Sequence, residues 1–112
     1  MADLSNLTVT ELVLGHEQAF VPEKAVGVDA VIQYRFTGEE GGDWNLTIKD
    51  GKCKVAQGIV QNPKMTLTAN AHDFREIMLG KTGGMMAFMQ GKLKITGDIN
   101  LAMHLISFFK VS

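Results

Sequence analysis

Between Val28 and Asn70, apolar side chains recur at every second position in four separate runs. That rhythm restricts the possible folds more than any other feature of the chain, because a period of two puts one set of side chains on each face of an extended strand. The first run sets Val28, Ala30, Ile32, Tyr34 and Phe36 against Asp29, Val31, Gln33, Arg35 and Thr37. The second sets Trp44, Leu46 and Ile48 against Asn45, Thr47 and Lys49, and Asp50-Gly51 then supplies the positive dihedrals of a two-residue hairpin. The third carries Cys53 and Val55 inward with Lys52 and Lys54 outward. After Asn62-Pro63, the fourth places Met65, Leu67 and Ala69 opposite Thr66, Thr68 and Asn70. The first three form an antiparallel meander with one greasy and one wet face, and the greasy face demands a cover.

The cover is helical. Thr8-Val9-Thr10-Glu11 fits a capping box, and Val9, Leu12, Val13, His16 and Phe20 share one face of a helix expected over 8–19. His16 falls at the boundary of that face. Pro22 opens a short turn that Gly27 closes. Asn70 can cap a helix over 71–79, with Phe74, Ile77 and Met78 on one side and His72 exposed in its first turn. The stretch from Gly84 to Asp98 then packs Met85, Met86, Phe88 and Met89 into a turn and a half of helix and stops at Gly91. It continues as a fifth strand through Leu93 and Ile95, with Lys92 and Lys94 solvated, and reaches Asp98 as the cap of a last helix. That last helix, expected over 99–109, has one polar stripe (Asn100, His104, Ser107) and is apolar elsewhere, so more than a sheet must bury it.

Five of the seven methionines lie from Met78 onward. Methionine fills irregular space and specifies a core poorly. If the helices carrying Met78, Met85, Met89 and Phe109 stand off the sheet, a dry gap of about 300 Å³ would cost roughly 7 kcal/mol. That rivals the whole stability of a domain, about 5–15 kcal/mol. Such a gap collapses or takes an apolar guest, and an acyl chain of about 14 methylenes gains on the order of 11 kcal/mol gross.

Other classes are disfavoured. The 112 residues suit one domain over 1–112. A net charge of -1 without a Lys/Arg cluster gives no footprint for nucleic acid. No apolar run nears the roughly 20 residues of a membrane span, and no signal peptide is read. The single cysteine, Cys53, suits inert packing in a reducing cytosol, so a cytoplasmic location is expected. His16, His72 and His104 fall on three separate elements, and no phosphate loop or metal-ligand spacing occurs. Catalysis, cofactor and metal are therefore not expected.

Four segments in register, A-F-V-P-E-K-A-V-G-V-D (19–29), G-D-W-N-L-T-I-K-D-G-K-C (42–53), D-F-R-E-I-M-L-G-K (73–81) and A-F-M-Q-G-K-L-K-I-T-G-D-I-N-L-A-M (87–103), resemble the sterol carrier protein type-two family of nonspecific lipid-transfer domains. The resemblance implies an α+β fold, a five-stranded, mostly antiparallel sheet with helices over one face, enclosing an apolar tunnel. It implies a non-catalytic carrier of fatty acyl chains, acyl-CoA, phospholipid or sterol-like ligands, monomeric or weakly dimeric, in transient contact with membrane surfaces. By the matching motifs, Phe88, Met89 and Gln90 border the tunnel, Gln90 near the lipid head, while Met103 and Leu105, Ile106 and Phe109 form its lid. Phe74, Met78, Met85 and Trp44 complete the expected ligand-binding set. The ending Lys110-Val111-Ser112 departs from the peroxisomal address of some members, and the segment 20–25 is similar to stand-alone bacterial members, for which sterol is not the expected ligand. The alternative is a protein-interaction or dimerisation module that uses the apolar last helix and partners a lipid-metabolising enzyme.

Overall fold

A computed structural model describes residues 8–39 and 41–109. The period-two runs become β1 (Ala30–Thr37), β2 (Gly42–Lys49), β3 (Lys52–Gln57) and β4 (Met65–Asn70), and β5 (Leu93–Gly97) follows the methionine-rich segment. The sheet order is β3-β2-β1-β4-β5. The first three strands form the expected meander, and Asp50 and Gly51 both adopt positive φ (53° and 73°) at its second hairpin. β4 then leaves the meander to lie parallel to β1, with β5 antiparallel beyond it. The sheet is therefore mixed.

Residues 58–64 connect β3 to β4 by crossing the face of the sheet turned away from the helices. This crossing corrects one expectation. Gln33 and Asn45 were assigned to the wet side, yet both are buried. The crossing segment brings backbone groups that need partners, and the two amides supply them. The Gln33 Nε2 amide donates to the Trp44 carbonyl (2.9 Å) and the Gly58 carbonyl (3.1 Å), and its Oε1 accepts from the Val60 N–H (2.9 Å). Asn45 Nδ2 donates to the same Gly58 carbonyl.

The helices α1 (Val9–Leu14), α2 (His16–Ala19), α3 (Ala71–Met78), α4 (Gly84–Met89) and α5 (Ile99–Leu105) cover the apolar face. Their starts follow local chemistry. Thr8 and Glu11 close the capping box, the Asn70 side chain accepts from the His72 and Asp73 N–H groups, and Asp98 accepts from the Leu101 N–H at 3.0 Å. The single first helix is divided at Gly15, whose N–H is shared between the Glu11 and Val13 carbonyls. The expected last helix is also shortened: α5 tightens into a 3₁₀ turn over Ile106–Phe108, and Phe109 bridges Phe20. The Val21 N–H donates to the Phe108 carbonyl (2.7 Å), and extended pairing of that kind is incompatible with another α-helical turn. Nor is α5 wrapped on all sides, since Ile99 and Met103 stand in solvent.

Candidate functional site

A cavity of about 300 Å³ lies between the β4–β5 end of the sheet and the helices α3, α4 and α5. Its floor is Leu67 of β4 with Leu93 and Ile95 of β5, the inward-facing members of their period-two runs. Phe74 and Ile77 of α3 close one side. Gly84, Met85 and Phe88 of α4 face Ile99, Ala102, Met103 and Leu105 of α5 across the top. Every lining side chain is a hydrocarbon, a thioether or a glycine hydrogen. The cavity is partly open, because Met85, Phe88, Ile99 and Met103 line it while remaining substantially exposed.

Of the expected ligand-binding residues, the structure brings Phe74, Met85, Phe88, Met103 and Leu105 together at this cavity. Met78 is packed in the core behind it. Trp44 is buried on β2, two strands away from the floor. Phe109 turns to the opposite end of the core, 4.3 Å between ring centroids from His16. Met89, 76% exposed, and Gln90, also exposed, are not among the residues that line this cavity. The side chain of Ile106 and residues 110–112 lie outside the described residues. The rotation of α4 explains the split: counted from the fully buried Ala87 at about 100° per residue, Gly84, Phe88 and Met85 fall within one arc of about 160° that faces the cavity, and Met89 and Met86 lie beyond it. The floor residues Leu67, Leu93 and Ile95 were not singled out from the sequence, although their alternation marked them as inward. Ala87 was a second signal, since the smallest side chain of an apolar helix marks its closest approach.

Among the described residues, the titratable groups form no reactive constellation with the cavity. His16, expected at the boundary of the apolar face, is instead fully enclosed. Its Nδ1–H donates to the Leu12 carbonyl (2.8 Å), and Nε2 accepts from the Tyr34 hydroxyl (3.1 Å). Burial depresses its pKa to about 4, against a smaller upward pull from the Leu12 bond, so the ring is neutral. Burial likewise raises the Cys53 thiol to about 12, which leaves it unreactive. His72 and His104 are exposed on separate helices. Among the described residues, no group of three or more His, Cys, Asp or Glu could hold a metal, and no helix is long and apolar enough to cross a membrane.

Comparison with known proteins places this geometry. Hydroxysteroid dehydrogenase-like protein 2 of Xenopus tropicalis is 38% identical over 90 residues, which span 79% of this chain and 22% of that protein. The chain thus corresponds to about a fifth of the length of that relative. Among solved structures, palmitated SCP2L2 of Aedes aegypti superposes with a TM-score of 0.71 at 26% identity, covering 90% of this chain and 93% of that one. The sec-alkylsulfatase Pisa1 of a Pseudomonas species shares the fold at a TM-score of 0.82 and 20% identity, over 95% of this chain and 17% of that one. The profile of the SCP-2 sterol transfer family matches residues 12–110, nearly the whole chain. With a five-stranded mixed sheet, helices on its apolar face and a match of that extent, the chain belongs to the SCP-2 sterol transfer family.

Proposed function

We propose that this chain is a one-domain, non-catalytic lipid carrier that takes the hydrocarbon tail of an amphiphile into the cavity over β4 and β5. The observation that carries the reading is the lining: about 300 Å³ of space with no side-chain nitrogen or oxygen on its walls. Such a site can select hydrocarbon by burial, at about 25 cal/mol per Å², but has nothing with which to read a polar group. It also offers no nucleophile, acid or base to a guest. Five residues expected from the sequence (Phe74, Met85, Phe88, Met103, Leu105) and five others (Leu67, Ile77, Leu93, Ile95, Ile99) form the tail site. The polar head stays at the half-open mouth between α4 and α5. Single-chain fatty acids and their thioesters or phospholipids are the favoured class. The palmitated form of the Aedes aegypti relative supports that class. The dehydrogenase-like relatives, several times longer than the match, support a second task for the same site: presenting lipid to an enzyme.

Native mass spectrometry of protein purified without detergent, together with titration of a fluorescent acyl probe, tests the reading. Met103→Glu puts a charge at the mouth on a side chain that is 61% exposed, so the fold should tolerate it. Probe affinity should fall at least tenfold. Normal uptake by Met103→Glu, with no lipid on the native protein, would remove the assignment.

A further inference from the structure

We infer that Met85 and Met103 form a reversible oxidation switch on the tail site: a peroxide converts their thioethers to sulfoxides, and the cavity then releases its hydrocarbon guest. The inference rests on the lipid-carrier reading and adds the regulation of that site. Six methionines lie among the described residues, and the fold sorts them into three pairs. Met65 and Met78 are buried in the core, out of reach of an oxidant in solution. Met86 and Met89 are open to solvent but line no part of the cavity. Met85 (56% exposed) and Met103 (61%) do both, walling the cavity while presenting their side chains to water. One belongs to α4 and the other to α5, so each helix places one oxidisable sulfur at the mouth.

The chemistry needs no residue besides the methionine. A sulfur lone pair attacks one oxygen of hydrogen peroxide, an S–O bond forms as the O–O bond breaks, and the sulfur gives up two electrons. The departing hydroxide takes the proton of the transferred oxygen and leaves as water. A thioether has no proton to lose first, unlike a thiol. The one cysteine, Cys53, is buried and offers the oxidant no competing thiolate. The consequence for binding follows from the lining, which carries no side-chain nitrogen or oxygen. A sulfoxide oxygen that stays on the wall faces the hydrocarbon of the guest without a hydrogen-bond donor. One that turns outward takes the side chain off the guest and exposes the tail to water. Both arrangements weaken binding, and a sulfoxide reductase returns the thioether. Leucine would wall the same cavity but could not be switched.

Titration of a fluorescent acyl probe into the intact chain before and after hydrogen peroxide, with the oxidised residues mapped by mass spectrometry, tests the inference. In the wild type the four exposed methionines should each gain one oxygen, Met65 and Met78 none, and probe affinity should fall about tenfold or more. Methionine sulfoxide reductases with dithiothreitol should restore it. Met85→Leu with Met103→Leu nearly conserves volume and removes both target sulfurs; scored against its own untreated affinity, it should change by less than about twofold. Met86→Leu with Met89→Leu, outside the lining, should lose affinity on treatment as the wild type does. Sulfoxide at Met85 and Met103 without loss of affinity, failure of those two sulfurs to oxidise, or protection by the second variant in place of the first overturns the switch. So does loss of the cooperative thermal transition in the treated wild type, since oxidation would then act by unfolding the chain. Absence of probe uptake by the untreated wild type strikes the carrier reading and the switch with it, whereas uptake that peroxide leaves unchanged strikes the switch alone.

Discussion

Replacing Ala102 by leucine separates a true cavity from a loosely drawn core, because the two cases give opposite signs. Ala102 lies on α5 and lines the cavity. The substitution adds three carbons directed into apolar space. At about 0.8 kcal/mol per buried carbon they gain roughly 2.4 kcal/mol, and ordering the leucine returns about 0.5–1 kcal/mol. The empty protein should therefore be stabilised by about 1.5–2 kcal/mol, which raises Tm by roughly 6–8 °C for a chain of this length. The same carbons occupy the volume of about three methylenes of a guest, so the Kd for an acyl probe should rise on the order of 50-fold. Thermal unfolding without lipid and probe titration read the two quantities independently. If the interior were filled, the added carbons would overpack it and cost about 1–3 kcal/mol. A destabilised Ala102→Leu with unchanged probe affinity would refute both the cavity and its role.

Three further outcomes are expected. Gly97 has φ +94°, and a Cβ there would meet Met65 Cα at 2.8 Å and the Lys64 carbonyl; Gly97→Ala should cost about 2–4 kcal/mol in urea unfolding, and a loss below about 0.5 kcal/mol would show that the β4–β5 register is not locked there. His16 is held neutral in the folded chain, so stability is complete above about pH 6.5 and falls as pH drops toward about 4, by at most about 3 kcal/mol at ~1.36 kcal/mol per pKa unit. Urea unfolding at stepped pH reads this loss, and His16→Gln should flatten it over that window; identical profiles would sink the assignment. Gln33→Ala strips the 58–60 crossing of its partners and should cost about 2–3 kcal/mol, with faster hydrogen exchange at the Val60 amide, whereas an unchanged exchange rate would show that the crossing is held by other means.

The strands and helix starts were legible because their determinants are local. Alternation identifies Ile32, Tyr34 and Phe36 as inward without knowledge of the partner strand, and Thr8, Asn70 and Asp98 mark helix starts through bonds to their own neighbours. What was not legible depends on groups distant in sequence. Gln33 is buried by a segment about 27 residues further on, and no pattern around Gln33 announces the crossing. Met89 reads as an inward anchor from its motif, yet the orientation of α4 is fixed by where Ala87 meets the core. The break after α5 comes from Val21, far back in the chain, drawing the Phe108 carbonyl into an extended pairing.

The interior is divided, and the division bears on how an underfilled cavity can persist. Over β1, one side is built from stiff rings: Tyr34, Phe36 and Phe74 lie with centroids 4.6 to 5.3 Å apart, and His16 sits 4.3 Å from Phe109 with Tyr34 on its far nitrogen. Ring pairs of this kind add about 0.5–1.5 kcal/mol each beyond area burial, and their shapes admit few alternative packings. Over β4 and β5, the other side is walled mainly by leucine, isoleucine and methionine from the strands and short helices, with Phe88 of α4 the one ring there besides Phe74. Phe74 belongs to both sides, with one flank in the ring cluster and the other on the cavity. Held by Tyr34 and Phe36, Phe74 is placed to prop α3 off the sheet on the cavity side. Phe74→Leu should accordingly do more than delete a ring contact. It should let α3 settle toward β4, shrink the cavity, and weaken acyl-probe binding beyond the fold-change expected from the lost lining area. Probe affinity falling only in proportion to that area would show that the two sides are mechanically independent.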